Sequence, residues 1–394
     1  MLVQDKIDFF KKHYIHLAFQ YRTIRTAKLA RYIFKELLSY FLTMFFFFFL
    51  IFFVNNLLLL AKDLLGKHVP FSDVMRLMLY STPFVIAQSA PFATLTGFLM
   101  CLGRMVSDNE ILIFRASGLS PLRIITVPVI ILGIAISIFS YFVNDFILPR
   151  GAIKYRELLR ISAAANPSVL LESNSVKRLN NATIIVGNVN NEEVSDIVFL
   201  DRDNDFNHRI IIAGKSKAYP SKTPGVIMEM EMNDSLVTIL NKSKASTFDT
   251  LSSDKMIMRI FDNSIEGLDS SITPQQMTST DLRHEIKKMK TDKEISKKTL
   301  NLYFLEYSKK FSIPFGSIFF AFMAIPIALS VGKHNGQTIG FIAGLLISFA
   351  YWAVTIIGQN LAVKNGINAV LMAWIPNIII GIAGSLCYLL MRKK

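Results

Sequence analysis

The sequence predicts an α-helical membrane protein with six transmembrane helices plus an inserted extracytoplasmic β domain, sandwich or jelly-roll in type. Three observations predict it. Six runs longer than 20 residues contain no Asp, Glu, Lys, Arg or His, and about 20 apolar residues suffice to cross ~30 Å of hydrocarbon. One long polar stretch, 148–300, interrupts them and carries short β-type runs. Basic residues gather in the flanks that fall on one side if every run crosses. The composition agrees: 52% of the 394 residues are hydrophobic and 18% charged, against about a quarter charged in soluble domains. An ordinary soluble enzyme is excluded.

The six runs are Leu38–Leu60, Leu77–Gly103, Ile124–Asn144, Phe311–Gly332, Thr338–Val363 and Ile367–Met391. The first is too long for a cleaved signal peptide and has no small-residue cleavage site before Asn55. The N-terminal flank carries Arg22, Arg25, Lys28, Arg31 and Lys35, the second turn Arg104, Arg115 and Arg123, and the tail Arg392-Lys393-Lys394. The positive-inside rule then places both termini in the cytoplasm of a multi-pass protein. The first 30 residues, with Phe9, Phe10, Tyr14 and Phe19 among bases, read as a basic interfacial helix. The net charge of +14 is explained in part by these flanks, so it implies no nucleic-acid partner.

Within 148–300, Thr183–Val189, Asp196–Leu200, Arg209–Gly214, Val226–Leu240 and Met256–Phe261 read as strands between turn residues. Met228, Met230 and Met232 alternate with Glu229 and Glu231, a period of two. Pro274 leads into a helix expected over Ser279–Lys298, which returns the chain to the membrane. The clusters Asn204–Asn207 and Ser243–Ser246 read as exposed loops. The division is therefore 1–37 basic segment, 38–147 spans one to three, 148–300 β domain, and 301–394 spans four to six.

Catalytic and cofactor signals are lacking. No phosphate-cradling G-x-x-x-x-G-K-[ST] loop, H-E-x-x-H or G-x-S-x-G is present, and the six histidines show no metal-ligand spacing. The chain predicts no cofactor and no catalytic residue of its own. The spans hold none of the ionisable groups that proton-coupled carriers store there. Sodium coupling through backbone carbonyls stays open; otherwise energy for transport is expected to arrive through a cytoplasmic partner.

The turn between spans two and three looks built for a partner. Ser107 with Glu110 three residues on predicts a capping box, Gly118 a left-handed cap, and Pro121 a stop. A helix is expected over Asp108–Ser117, presenting Ile111, Leu112 and Phe114. At the outer ends of spans one and five sit carboxamides: Asn55 and Asn56, and Gln359 and Asn360.

Taken together, Arg31-Tyr32-Ile33-Phe34-Lys35-Glu36, Leu102-Gly103-Arg104, the Asp108–Gly118 turn, Glu306-Tyr307-Ser308-Lys309, Pro314-Phe315-Gly316, Gly358-Gln359-Asn360-Leu361-Ala362 and Ala373-Trp374-Ile375-Pro376-Asn377 resemble the LptF/LptG permease family of the lipopolysaccharide-export ABC transporter. The resemblance runs from Arg31 to the end and is weakest in the β domain. It implies a non-catalytic inner-membrane permease that extracts lipopolysaccharide, or a similar lipid or lipoprotein. It implies four kinds of partner: a second LptF/LptG-type permease, two copies of a cytoplasmic ABC ATPase, a periplasmic jelly-roll bridge protein, and the lipid cargo. It further implies a jelly-roll periplasmic domain and a coupling helix containing Ser107, Asp108, Glu110, Ile111, Phe114, Arg115 and Gly118. Spans one and five become lateral gates, with Asn55, Asn56, Lys62, Tyr351, Gln359 and Asn360 as cavity or gate residues. One departure stands out: family members often carry bases at the outer end of span one, where this chain has Asn55-Asn56-Leu57-Leu58-Leu59, and the nearest base is Lys62. A membrane sensor or scaffold with an extracytoplasmic β domain is the alternative reading, and F and G partners are not distinguished.

Overall fold

The computed structural model describes residues 2–64, 70–165, 173–178, 182–190, 193–202, 208–221, 223, 226–240, 248–261, 273–291, 296–330 and 335–393, with the side chains of the first helix from residue 27 on. The expected loops Asn204–Asn207 and Ser243–Ser246 and the side chain of Lys62 lie outside the described set. The helices are α1 (Leu2–Leu64), α2 (Phe71–Ser107), α3 (Glu110–Ala116), α4 (Pro121–Phe142), α5 (Leu148–Ala165), α6 (Ser279–Thr291), α7 (Lys297–Ser330), α8 (Gly336–Lys364) and α9 (Ala369–Lys393). Six of them contain stretches long and apolar enough to cross a membrane: α1, α2, α4, α7, α8 and α9. The chain forms two compact units. The first is 1–53, 83–147 and 278–394; the second is 54–82 and 148–277.

In the first unit α2 is the central element, the most deeply covered of the spans. Its sequence explains why. Ala90, Ala93, Thr94, Thr96 and Gly97 are small, so neighbouring helices approach its backbone closely. Leu95, Phe98, Leu99 and Leu102 of α2 join Ile33 and Leu37 of α1, Ile125, Val129 and Leu132 of α4, and Phe320 and Ala324 of α7 in one buried cluster. α8 lies against α2 along a row of small residues with helical spacing. A Cβ on Gly336 would strike the Gly103 carbonyl, one on Gly340 would sit 2.5 Å from the Leu99 carbonyl oxygen, and one on Gly344 2.8 Å from Thr96 Cα. α8 and α1 are nevertheless the most exposed spans, with 17% and 22% of their apolar windows buried.

Span three ends in a π-turn, Val143–Ile147, and the chain runs on as α5. The turn gathers buried polar groups that apolar runs alone do not reveal. Asp145 accepts the Ser279 N–H (2.7 Å) and hydroxyl (2.9 Å) at the start of α6. Lys310, 3% exposed, donates to the Asn144 carbonyl at 2.9 Å. Glu306 pairs with Lys309 at 2.8 Å. Glu306 is thus paired, and the buried Asp145 and Lys310 are hydrogen-bonded, which is the condition for keeping such groups out of water. α7 thus begins 14 residues before the charge-free run expected from Phe311, and its charged first turns are tied down by the end of span three.

The second unit contains one antiparallel sheet of seven strands: β1 (Ser175–Arg178), β2 (Ala182–Val186), β3 (Val189–Asn190), β4 (Glu193–Arg202), β5 (His208–Pro220), β6 (Val226–Leu240) and β7 (Phe248–Phe261). The order is β1-β2-β4-β5-β6-β7, with β3 on β4. A flat sheet buries neither face by itself, yet Ile197, Phe199, Met230 and Met232 are fully buried in a cluster whose described members all lie on the strands. The register explains this. Asp196, Gly214 and Asp234 lie at skipped positions of adjacent strands, and Asp196 and Asp234 have φ of 58° and 51°. At this line the inward-facing set changes parity: Val194 to Ile197, Ala213 to Ser216, and Met232 to Ser235. Such breaks are how strands turn a corner, so the sheet bends along this line. Its outer face carries cross-strand ion pairs. In one of them Glu231 accepts a hydrogen bond from Lys255 (2.8 Å) and holds that ammonium above its usual pKa.

The strand reading is corrected at both ends of the domain. The chain continues as α5 from 148 to 165 before any strand, β1 was not anticipated, and β7 starts at Phe248 rather than Met256. The return helix is described to Thr291, and helix resumes at Lys297.

Candidate functional site at the turn between α2 and α3

The capping box is not formed. α3 begins at Glu110, its N-cap Asn109 sits at φ 60°, and no side chain caps it. The Ser107 hydroxyl is engaged elsewhere: it accepts the Gly336 N–H at 2.8 Å and so serves an orphan donor at the first turn of α8. The far end of α3 is as expected. Gly118 has φ 68°, its N–H donates to the Arg115 carbonyl, and the Leu119 N–H donates to that of Phe114, both at 3.0 Å. This pair of bonds is the Schellman pattern, which a glycine in the left-handed region permits.

Arg104, in the last turn of α2, organises the rest. Its Nη2 donates to Glu36 Oε2 of α1 at 3.0 Å and to the Tyr32 hydroxyl at 3.4 Å. Its Nη1 donates to Asp108 Oδ2 at 2.9 Å and to Glu110 Oε1 at 3.1 Å. Tyr32 donates in turn to Glu110 Oε1 at 3.2 Å. One planar, permanently charged fork therefore meets three carboxylates, a role lysine does not reproduce. Both hydrogen bonds that Glu110 accepts from described residues fall on Oε1.

α3 splits its apolar residues between two surroundings. Ile111 and Phe114 belong to the buried cluster. Leu112 (50%) and Ile113 (59%) are exposed, as are Asp108 and Arg115. Two adjacent large aliphatic residues therefore face outward from a short helix between charged groups. Ile113 was not singled out in the sequence, although its place beside Leu112 was visible there.

The sequence matches the family described as "Lipopolysaccharide export system permease LptF/LptG" over residues 31–392. The chain belongs to the LptF/LptG family. No curated protein is similar enough to count as a match. Membership makes the chain a multi-pass permease for lipopolysaccharide export, a generally non-catalytic part of a transporter with partner subunits. The match leaves the first 30 residues outside the LptF/LptG region, although they continue span one as helix.

The remaining candidates lie on spans one and five. Asn56 donates to the Ser81 hydroxyl at 2.6 Å, while Asn55 is exposed; both belong to the second unit. In the first unit, Tyr351 donates to Asn377 Oδ1 at 2.9 Å, and Asn377 Nδ2 donates to the Ser312 carbonyl at 2.6 Å. The Tyr351 ring also packs edge-on against Phe320 at 4.8 Å. These contacts tie α8 to α7 and α9. Gln359 is half-buried and Asn360 exposed on α8. Among the described residues no group of His, Cys, Asp or Glu is placed to hold a metal.

Proposed function

We propose that this LptF/LptG-family chain is one transmembrane half of an ATP-driven lipid exporter, with α3 as the helix that docks a separate cytoplasmic ATPase. The observation that supports this best is the exposed Leu112–Ile113 pair beside Glu110, whose Oε2 takes no hydrogen bond from described residues. A basic side chain of the ATPase meets that oxygen, while the aliphatic pair fills an apolar depression. Two ATPase copies serve this chain and a second permease. The bent β domain acts as a jelly roll on the periplasmic side and hands lipid to a bridge protein. Of the cavity and gate residues that the resemblance implies, the exposed Asn55 on span one and Asn360 on span five are the ones taken to meet cargo. With amides in place of bases near Asn55, head-group contact there rests on hydrogen bonds, so lipopolysaccharide shares the role of candidate cargo with a related lipid or lipoprotein.

The test is co-purification of the ATPase with the full chain in wild-type, Leu112→Asp and Glu110→Ala forms. Leu112→Asp is expected to lower recovery at least tenfold, and Glu110→Ala severalfold. Recovery equal to wild type in both would remove α3 as the docking element.

A further inference from the structure

The last turn of α2 touches more of the molecule than its role as a helix end requires. Arg104 and Ser107 are three residues apart and so neighbours on the helix surface. Arg104 reaches α1 through Glu36 and Tyr32, and α3 through Glu110. Ser107 holds the first N–H of α8. Directly beneath, Gly103 and Gly336 are in backbone contact with no room for a single added carbon on either. A displacement of this turn therefore cannot leave the start of α8 where it is. The two helices so tied are the least covered spans of the chain, and they meet each other through the Phe47–Phe341 ring pair at 5.9 Å.

We infer that the Arg104–Ser107 turn is a mechanical joint that carries movement of α3 to spans one and five together, with Glu36 and Ser107 as the positioning residues of its two arms. The inference rests on the reading of α3 as a docking helix and adds where the motion goes. Arg104 is suited to the centre because its fork is rigid and charged throughout. The carboxylates it gathers outnumber it three to one, and Arg104 holds Glu110 through Oε1, so an incoming base on Oε2 leaves the Arg104–Glu110 and Arg104–Glu36 bonds both in place. The fork then carries the movement of α3 to α1. On the other arm, the Ser107–Gly336 bond is neutral and keeps α8 in register with α2 throughout the movement.

The experiment uses the full chain in complex with its companion permease and ATPase, in nanodiscs of phosphatidylethanolamine and phosphatidylglycerol. Spin labels go on Phe46→Cys and Leu346→Cys, which replace exposed residues of α1 and α8, with Cys101→Ala and Cys387→Ser. The distance distribution is recorded without nucleotide and with ADP and vanadate. The wild type is expected to shift on trapping, Glu36→Gln and Ser107→Ala each to lose at least half of that shift, and the double variant nearly all of it. Glu36→Gln is expected to retain the ATPase on co-purification. If one variant does not fold, the other carries the test through its own arm. A full shift in a folded variant overturns the joint, as does the absence of any shift in a wild-type complex that holds its ATPase. Loss of the ATPase by Glu36→Gln overturns it too, since Glu36 then belongs to the docking face. A wild-type chain that never recovers an ATPase defeats the permease reading instead.

Discussion

Pro314 lies inside α7 and has no N–H, so the Lys310 carbonyl has no donor from its own helix. The Asn144 side chain fills the gap from the π-turn: Nδ2 lies 3.3 Å from the Lys310 carbonyl and 3.3 Å from that of Lys309. A net hydrogen bond is worth about 0.5–1.5 kcal/mol, and an orphaned buried acceptor costs about 1–3 kcal/mol. Asn144→Ala is therefore expected to destabilise the chain by about 2 kcal/mol. The effect has to depend on Pro314. In a Pro314→Ala background the new N–H reaches the Lys310 carbonyl along the helix, and the loss of Asn144 falls to about 1 kcal/mol. The double-mutant cycle should thus give a coupling of about −1 kcal/mol, with the double variant more stable than the sum of the singles. The Lys310 ammonium is not perturbed in this cycle, because it binds the backbone carbonyl of residue 144. Reversible unfolding of the four full-length proteins, by sodium dodecyl sulfate titration in mixed micelles, measures all terms. Additivity within about 0.3 kcal/mol would refute the assignment of Asn144 as the substitute donor.

Gly340→Ala should destabilise by about 1–3 kcal/mol, an overpacking cost, because its Cβ would lie 2.5 Å from the Leu99 carbonyl oxygen; a variant as stable as wild type in the same titration would mean that α8 is not seated there. Asp234→Val should cost roughly 1–2 kcal/mol more than Asp234→Gly, read as the unfolding midpoint of the β domain by tryptophan-independent circular dichroism, since only the former resists φ 51°. Protease added to the periplasmic face of spheroplasts should cut at Asn204–Asn207 or Ser243–Ser246, and cutting confined to inverted membranes would reverse the topology and with it the exposure of α3 to an ATPase.

The membrane part was legible because one physical length governs it. Hydrocarbon thickness fixes how long an apolar run must be, and each of the six spanning helices contains most of one run. The β domain was legible where a strand is inward-facing and regular: Val226–Leu240 matches β6 end to end. It failed where pairing rather than composition makes the strand. Residues 248–255, Phe-Asp-Thr-Leu-Ser-Ser-Asp-Lys, carry little β signal of their own, yet they pair along β6 from Leu240 to Asn233. Tertiary context outweighs propensity there. α5 was hidden by Pro149 and Gly151 near its start. Proline costs little in a first turn, and the preceding π-turn keeps the chain helical up to it.

The candidate site shows a different limit. A serine at a helix end and a glutamate three residues later satisfy a local rule, and the rule named the wrong partner. The Ser107 hydroxyl binds an N–H 229 residues away, a contact no local spacing encodes. With the cap gone, α3 has only seven residues and a left-handed Asn109 before it. A helix that short is not stable on its own nucleation and propagation terms. What holds it is the burial of Ile111 and Phe114 in the main cluster, the Glu110–Arg104 pair and the glycine-closed end at Gly118. Each of these fastens α3 to the body of the first unit or fixes its exit, and none stabilises it as an independent helix. A load applied at Leu112 and Ile113 is therefore borne by α1, α2 and the cluster beneath them, since α3 has no stability of its own with which to absorb it by moving alone.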